Sequence, residues 1–261
     1  MTAAPADGAR PVLYVVVPIL DESANLPRLL GALREIAGEV AADLGVQAVI
    51  VDDGSTDGSS EQARALAGDL ALSVLTHPEN RGPGAAFATA FAHLAPLLGP
   101  RDWVATMEGD NTSRHELLRQ MLVRTREGYE VVFASPYMYG GGVLHTTTWR
   151  VILSHVANAF VKEALGIHGI VTMSSFYRLH SAAALAKLQA RYGPGILERR
   201  GFESMIEMLM KMMALGITIS EVPMVLDSSR RLGRSKMKIL RTIAGYLLLW
   251  RHKRRWAAPL P

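Results

Sequence analysis

Three acidic clusters, Asp21-Glu22, Asp52-Asp53 and Glu108-Gly109-Asp110, each follow a short apolar run and lead into residues that turn the chain. Glu108 and Asp110 present carboxylates two residues apart, hard oxygen ligands suited to a divalent cation such as Mg2+ or Mn2+. A cation held there would act as a Lewis acid and neutralise a diphosphate leaving group. Asp52 and Asp53 carry carboxylates that can accept from a base N–H or a ribose hydroxyl, while Gly54 and Ser55 let the backbone turn into a following helix. The same Asp-Gly-Ser-Thr-Asp run is good helix-capping sequence, and the Glu108 group equally reads as an acidic turn. Further along, Arg230-Arg231-Leu232-Gly233-Arg234-Ser235-Lys236 gathers cations and a hydroxyl around one glycine. Arg grips phosphate oxygens bidentately and Lys adds a point charge; a solvated basic loop is the alternative.

These clusters need a scaffold that brings them together. Residues 13–17 form a β-branched run stopped by Pro18, followed by apolar residues at helical spacing, Leu26, Leu29, Leu30, Leu33 and Ile36. The unit recurs: a strand at 48–51 and a helix from about 59 to 67, then a strand at 72–75, a loop with Asn80, Gly82 and Gly84, and an Ala-rich helix at 85–98. Residues 103–107, 131–134 and 217–222 read as further strands, the last ended by Pro223, and 149–165 and 202–215 as further helices. The Gly- and Tyr-rich residues 137–142 read as a mobile loop. Such alternation implies an α/β fold with a mostly parallel sheet flanked by helices. Ligands collect at the carboxyl ends of the strands in such a sheet, which is where all three acidic clusters fall.

Composition narrows the classes. The 261 residues are 49% hydrophobic and 20% charged, as in an ordinary globular domain. There is no cysteine, which excludes disulfides, thiolate metal sites and thiol nucleophiles. The net charge is only +4, but Arg and Lys crowd the C-terminal end. There, Ile239, Leu240, Ile243, Leu247 and Trp250 recur at helical spacing among Lys238, Arg241, Arg251, Lys253, Arg254 and Arg255. A basic amphipathic helix of this kind suits an anionic membrane surface, or packs on the core with its charges solvated. No module for reading nucleic acid is present, so nucleic acid is not expected as a partner. The Met-rich stretch near Met205 reads as core filling. With no signal-peptide pattern and no long apolar span, a cytoplasmic protein lying peripherally on the membrane face is expected. The domain reading is a flexible tail at 1–11, one catalytic domain at 12–235, and the basic helix and tail at 236–261.

Taken in chain order, the segments resemble family 2 glycosyltransferases, the dolichol-phosphate or polyprenyl-phosphate mannose synthases in particular. Val15-Val16-Val17-Pro18 with Glu22 and Asn25-Leu26 resembles the family's opening strand and nucleotide loop, and Asp52-Asp53-Gly54-Ser55 its nucleotide-binding aspartate motif. Asn80-Arg81-Gly82-Pro83-Gly84 is similar to its Asn-x-Gly-x-Gly turn, and Met107-Glu108-Gly109-Asp110 stands in the place of its Asp-x-Asp metal motif. Ser174-Ser175-Phe176-Tyr177-Arg178 resembles the acceptor-side segment, 201–223 the closing helix and strand, and Arg230, Gly233, Ser235 and Lys236 the Arg-x-x-Gly-x-Ser-Lys phosphate loop.

The resemblance implies a GT-A fold and an inverting, metal-dependent transfer of mannose or a similar hexose from a nucleoside-diphosphate sugar, GDP-mannose favoured, to a polyprenyl or dolichyl phosphate or another acceptor. It implies catalytic roles for Asp110, Arg230 and Lys236. It implies donor binding by Pro18, Glu22, Asp52, Asp53, Gly82, Glu108, Gly109 and Asp110, and metal ligation by Asp110 and Glu108. Ser135, Ser174, Ser175, Arg178 and Ser235 are implied to serve the acceptor or phosphate. Five positions depart from the family pattern: Glu108 for the first aspartate, Thr112 for a glutamine, Pro136 for an arginine after Ser135, Tyr177 unless the register slips to Arg178, and no aspartate near 170–172. These departures keep open a second class, a degenerate protein of the same fold that binds a nucleotide sugar without turnover.

Overall fold

The computed structural model describes residues 10–232, 245, 246, 248–251 and 256; residues 148, 150–154, 156 and 157 are described by their backbone alone. The chain begins with the repeating unit expected from the hydrophobic pattern: β1 (Val12–Ile19), α1 (Leu26–Val40), β2 (Gly45–Asp52), α2 (Ser59–Ala65), β3 (Leu72–Thr76), α3 (Pro83–Leu94) and β4 (Trp103–Thr106). It continues through α4 (Leu117–Arg126), β5 (Val131–Ser135), β6 (Gly142–Leu144), α5 (Thr148–Leu165), β7 (Arg178–Ser181), α6 (Ala182–Tyr192), α7 (Ser204–Ala214), β8 (Ile219–Pro223) and β9 (Val225–Asp227). A 3-10 turn at Gly193–Ile196 follows α6, and another at Ser228–Arg230 follows β9.

Seven strands form one sheet in the order β3-β2-β1-β4-β7-β5-β8. All neighbours are parallel except β7, which runs antiparallel to both β4 and β5. The strands read as continuous apolar runs because the sheet is covered on both faces. In β1, Tyr14 and Val16 point into the cluster packed by α3, α6 and α7, with Phe87, Phe91, Leu185 and Leu209. Leu13, Val15 and Val17 point into the opposite cluster with Leu26, Leu30 and Leu33 of α1 and Met121 of α4. A one-residue slip of β1 would exchange these two sets, so burial on both faces fixes the register.

The parallel strands all open onto one rim. β6 and β9 form a small parallel pair of their own, with Gly142 opposite Val225 and Leu144 opposite Asp227. This pair carries the chain after β8 back toward the rim, where the Asp227 amide donates to the Thr112 carbonyl at 3.1 Å. The stretch 137–142 expected as a loop thus ends in a short strand, whose first residue is Gly142. At the C-terminal end, Leu249 and Trp256 are buried against the domain while Leu248, Trp250 and Arg251 face outward. Of the stripe expected through Ile239, Leu240, Ile243, Leu247 and Trp250, only Trp250 lies among the described residues; it faces outward, while Gly245 and Leu249 are buried. Among the described residues no helix is long and apolar enough to cross a membrane.

Candidate active site

At the ends of β1 and β2 two loops lock together. The Asp21 amide donates to Ser55 Oγ at 2.8 Å, the Thr56 amide to Asp21 Oδ1 at 2.8 Å, the Ser23 amide to Asp57 Oδ2 at 3.0 Å and the Glu22 amide to Ser59 Oγ at 2.9 Å. Asp21 takes a left-handed conformation, φ 47°, to make this turn, a conformation Asp tolerates better than most residues. Glu22 is buried and accepts from Asn25 Nδ2 at 2.5 Å, which fixes the start of α1.

Asp52 and Asp53 are both buried and both spent on positioning loops. Asp52 accepts from the Ser55 amide at 2.8 Å and from Ser60 Oγ at 2.5 Å, which closes the turn before α2 without capping the helix, whose N-cap is Gly58. Asp53 accepts from His77 Nδ1 at 2.7 Å, the Arg81 amide at 2.9 Å and the Gly82 amide at 2.7 Å. A carboxylate has about four lone-pair positions, so Asp53 mainly holds the 77–82 turn. His77 in turn reaches Thr89 Oγ1 of α3 at 2.9 Å. Gly82 needs to be glycine: its φ is 95°, and a Cβ there would lie 2.3 Å from the Arg200 carbonyl oxygen. This close approach joins the Asn80–Gly84 turn to the 198–202 loop, with the Gly84 amide donating to Arg200 O at 2.8 Å.

Glu108, Gly109 and Asp110 extend β4 beyond the sheet. Gly109 runs so close under Pro18 that a Cβ would lie 2.9 Å from the Pro18 carbonyl oxygen. Glu108 accepts from Ser113 Oγ at 2.6 Å; desolvation pushes its carboxyl up and the Asp110 charge adds to this, while the Ser113 bond opposes it. Asp110 Oδ1 accepts from the Thr112 amide at 3.1 Å and Thr112 Oγ1 at 2.7 Å. Its other oxygen, Oδ2, takes two guanidinium nitrogens of Arg231, Nε at 2.6 Å and Nη2 at 2.5 Å. Thr112, standing where a further ligand is usual in the resemblance, therefore orients Asp110.

Toward β5 and β8 the structure gathers the acceptor-side candidates unevenly. Ser135 Oγ lies 2.5 Å from Thr172 Oγ1 and accepts from the Met138 amide at 3.1 Å. Glu221 receives the Val171 and Thr172 amides at 2.7 and 2.8 Å, placing a carboxylate beside a segment that lacks its own. Ser174 hydrogen-bonds the Tyr246 phenol, and Ser175 Oγ accepts from the Tyr177 amide at 3.2 Å. Arg178 does not reach the rim. It is fully buried, donates to the carbonyls of Ser175, Met173 and Met205 at 2.6–2.9 Å, and stacks on Phe133 at 4.1 Å. Burial pushes its pKa down to about 9, against the pull of Glu221 and Glu108. Its position explains this: the first residue of β7 pairs with Thr106 and Phe133 between two central strands, and a guanidinium there must find carbonyl partners.

The basic segment folds over this rim. Arg28 Nη1 donates to the Arg230 carbonyl at 3.0 Å, and Asn25 clamps Leu232, accepting its amide at 3.1 Å and donating to its carbonyl at 3.0 Å. Gly233, Ser235 and Lys236 lie outside the described residues. The structure thus brings Pro18, Glu22, Asp52, Asp53, Gly82, Glu108, Gly109, Asp110 and Arg230 around one rim, with Ser135, Ser174 and Ser175 toward its β5 side. Sequence reasoning passed over Arg231, His77, Asn25 and Glu221 as site residues. Arg231 lay inside the basic run already singled out, and Asn25 and Glu221 inside quoted motifs. His77 carried no signal beyond its place after β3.

A family model described as Glycosyl transferase family 2 matches residues 14–182. The chain is 27% identical to polyprenol monophosphomannose synthase of Mycolicibacterium smegmatis, over 85% of this chain and 80% of that one. It is 28% identical to undecaprenyl-phosphate 4-deoxy-4-formamido-L-arabinose transferase of Aeromonas hydrophila, over 69% of this chain but only 53% of that one. Among solved structures, glucosyl-3-phosphoglycerate synthase from Mycobacterium tuberculosis in complex with Mn2+, uridine diphosphate and glucosyl-3-phosphoglycerate superposes with a TM-score of 0.61. That match covers 94% of this chain and 80% of that one at 19% identity, a likeness of fold.

Proposed function

Given that the chain belongs to glycosyl transferase family 2 and is a glycosyltransferase of the GT-A fold, we propose that it moves a hexose, mannose in the first instance, from a nucleoside-diphosphate sugar to the phosphate of a polyprenyl lipid. The observation that carries this reading is the placement of Asp110: it lies just beyond the end of β4, with the Arg230-Arg231 turn folded over it. The relative that acts as a polyprenol monophosphomannose synthase supports the choice of sugar and acceptor.

The donor set fits a divalent cation that shares its ligands with substrate. Asp110 and Glu108 offer hard oxygens, and among the described residues no cluster of three or more acidic or His groups could enclose an ion by itself. Mg2+ and Mn2+ sites in nucleotide enzymes characteristically use one or two carboxylates plus phosphate oxygens and water. A guanidinium already rests on Asp110 Oδ2, so the position accepts positive charge. When bound, the ion would supply Lewis-acid neutralisation of the diphosphate leaving group.

The remaining roles belong to the chain. Asp53 and Gly82 hold the donor turn, Gly109 lets the Glu108–Asp110 corner pass under Pro18, and Thr112 aims the Asp110 carboxylate. Arg230, whose carbonyl accepts from Arg28 in the turn next to Arg231, would supply a cation toward charge that develops during transfer. The attacking oxygen of an acceptor phosphate is already anionic, so no strong general base is required. Its bond to the anomeric carbon forms as the bond to the diphosphate oxygen breaks on the opposite side, which inverts the centre.

The test is a panel of radiolabelled GDP-mannose, GDP-glucose, UDP-glucose and UDP-galactose, each with Mg2+ or Mn2+ and a short polyprenyl phosphate in detergent. The reading predicts label in the organic phase, strongest from GDP-mannose. No lipid-linked label from any donor would contradict it.

A further inference from the structure

We propose that Arg231 is a resident counter-cation of the metal carboxylate, occupying the place of the divalent ion and coupling its arrival to release of the segment that follows β9. The inference rests on the reading of Asp110 as the metal-binding carboxylate. Arg231 is not among the positions that the family resemblance singles out in the basic segment.

The geometry is that of a seated ion. Both Arg231 Nε and Nη2 converge on the single oxygen Asp110 Oδ2, at 2.6 and 2.5 Å, while Thr112 occupies Oδ1 through its amide and hydroxyl. A cation can use Asp110 Oδ2 only by displacing the guanidinium, since two positive charges cannot share one carboxylate oxygen without strong repulsion. Charge-assisted contacts of this length are among the stronger hydrogen bonds, so the competition is substantial.

The segment carrying Arg231 is built to let go. It is fastened by the Arg28 bond to Arg230 O, the two Asn25 bonds to Leu232 and the Asp227 amide on Thr112 O. No side chain of the 3-10 turn Ser228–Arg230 is buried, and Leu232 is 50% exposed. Polar fastening of this kind, with no buried side chain among residues 228–232, can be exchanged for water at small net cost. Once displaced, Arg231 remains within one residue of Arg230, so the same event frees a second cation for the diphosphate.

Two measurements on the full chain test this, with Mn2+ as the probe. The first is Mn2+ titration followed by water-proton relaxation enhancement on wild type, Arg231→Gln and Asp110→Asn. Removing a partly exposed ion pair that competes with the metal should tighten Mn2+ binding roughly fivefold in Arg231→Gln, whereas Asp110→Asn should lose it. The second is hydrogen exchange of peptides spanning 225–232: Mn2+ should accelerate exchange in wild type, and Arg231→Gln should exchange fast with or without it. Unchanged or weaker Mn2+ binding by Arg231→Gln, or wild-type exchange indifferent to Mn2+, would overturn the proposal and leave the Asp110 reading standing. Wild-type Mn2+ affinity in Asp110→Asn would instead remove the metal site and the proposal with it.

Discussion

Neighbouring polar residues in this molecule have different tasks according to what donates to them. Asp52 and Asp53 are adjacent, yet one caps a turn through Ser55 and Ser60 and the other staples a loop through His77, Arg81 and Gly82. His180 sits in β7 with no hydrogen-bond partner for either ring nitrogen among the described residues, edge-on to Phe91. Burial, with the Arg178 charge adding, pushes its pKa down to about 3. The unfolded chain protonates this side chain near the ordinary value of about 6.5, so between that pH and 3 the unfolded state binds the extra proton. Stability from this residue is therefore complete above about pH 6.5 and declines as pH falls toward 3. By pH 4 the loss amounts to about 3 kcal/mol. His180→Leu should flatten this part of the stability profile, which urea unfolding at pH 7 and pH 4 would reveal; parallel losses in both proteins would contradict the assignment.

Among the elements, those with unbroken apolar strands or 3.6-residue periodicity were legible from sequence: β1 to β5, β8, α1 to α3, α5 and α7. Helices α4 and α6 went unread, and the strands that did so have physical reasons. β7 is Arg-Leu-His-Ser, four residues without a β-branched side chain, and it owes its place to pairing with β4 and β5 on both sides. β6 and β9 have three residues each and form only because they meet one another. The rim was legible because carboxylates at strand ends have a local sequence signature, whereas the Arg231–Asp110 pair joins residues 121 apart and had none. Helix α7 carries a buried ion pair of its own. Lys211 Nζ is fully buried at 2.5 Å from Glu207 Oε1, and Glu207 also accepts the Glu198 and Arg199 amides at 2.8 Å, shaping the loop that backs Gly82 and Gly84. Desolvation pushes the Glu207 carboxyl up, with Lys211 opposing. Lys211→Met should strand a buried carboxylate and destabilise the fold by about 3–5 kcal/mol, while the double change with Glu207→Gln should recover much of the loss. Equal unfolding midpoints for the two variants would argue against a coupled pair.

At the scale of the whole molecule, the C-terminal residues join the domain on one side and present a different face outward. Trp256 is buried over Lys211, 5.1 Å from its ammonium, and its carbonyl accepts from Tyr192 Oη at 3.0 Å. Leu248 and Trp250 are 41% and 56% exposed. We propose that this outward face, with Arg251 and the basic residues that follow it in sequence, rests on an anionic membrane surface. Each Lys or Arg near such a surface contributes on the order of 1 kcal/mol. Reversing Arg251, Lys253, Arg254 and Arg255 to Glu should therefore release the protein from anionic vesicles in sedimentation while donor binding persists. Wild-type protein that stays in the supernatant at low salt would assign the helix to the core alone.

The central claim is that the Asp110 corner drives sugar transfer, and the most direct measurement is nucleoside-diphosphate release with donor and polyprenyl phosphate both present. Wild-type release should require the acceptor and the divalent ion together and stop in excess chelator. Asp110→Ala should lower it by roughly a hundredfold to a thousandfold, the scale expected when electrostatic stabilisation of a leaving group is lost, with its unfolding midpoint unchanged. Release by Asp110→Ala at the wild-type rate, or full wild-type turnover in excess chelator, would contradict the account.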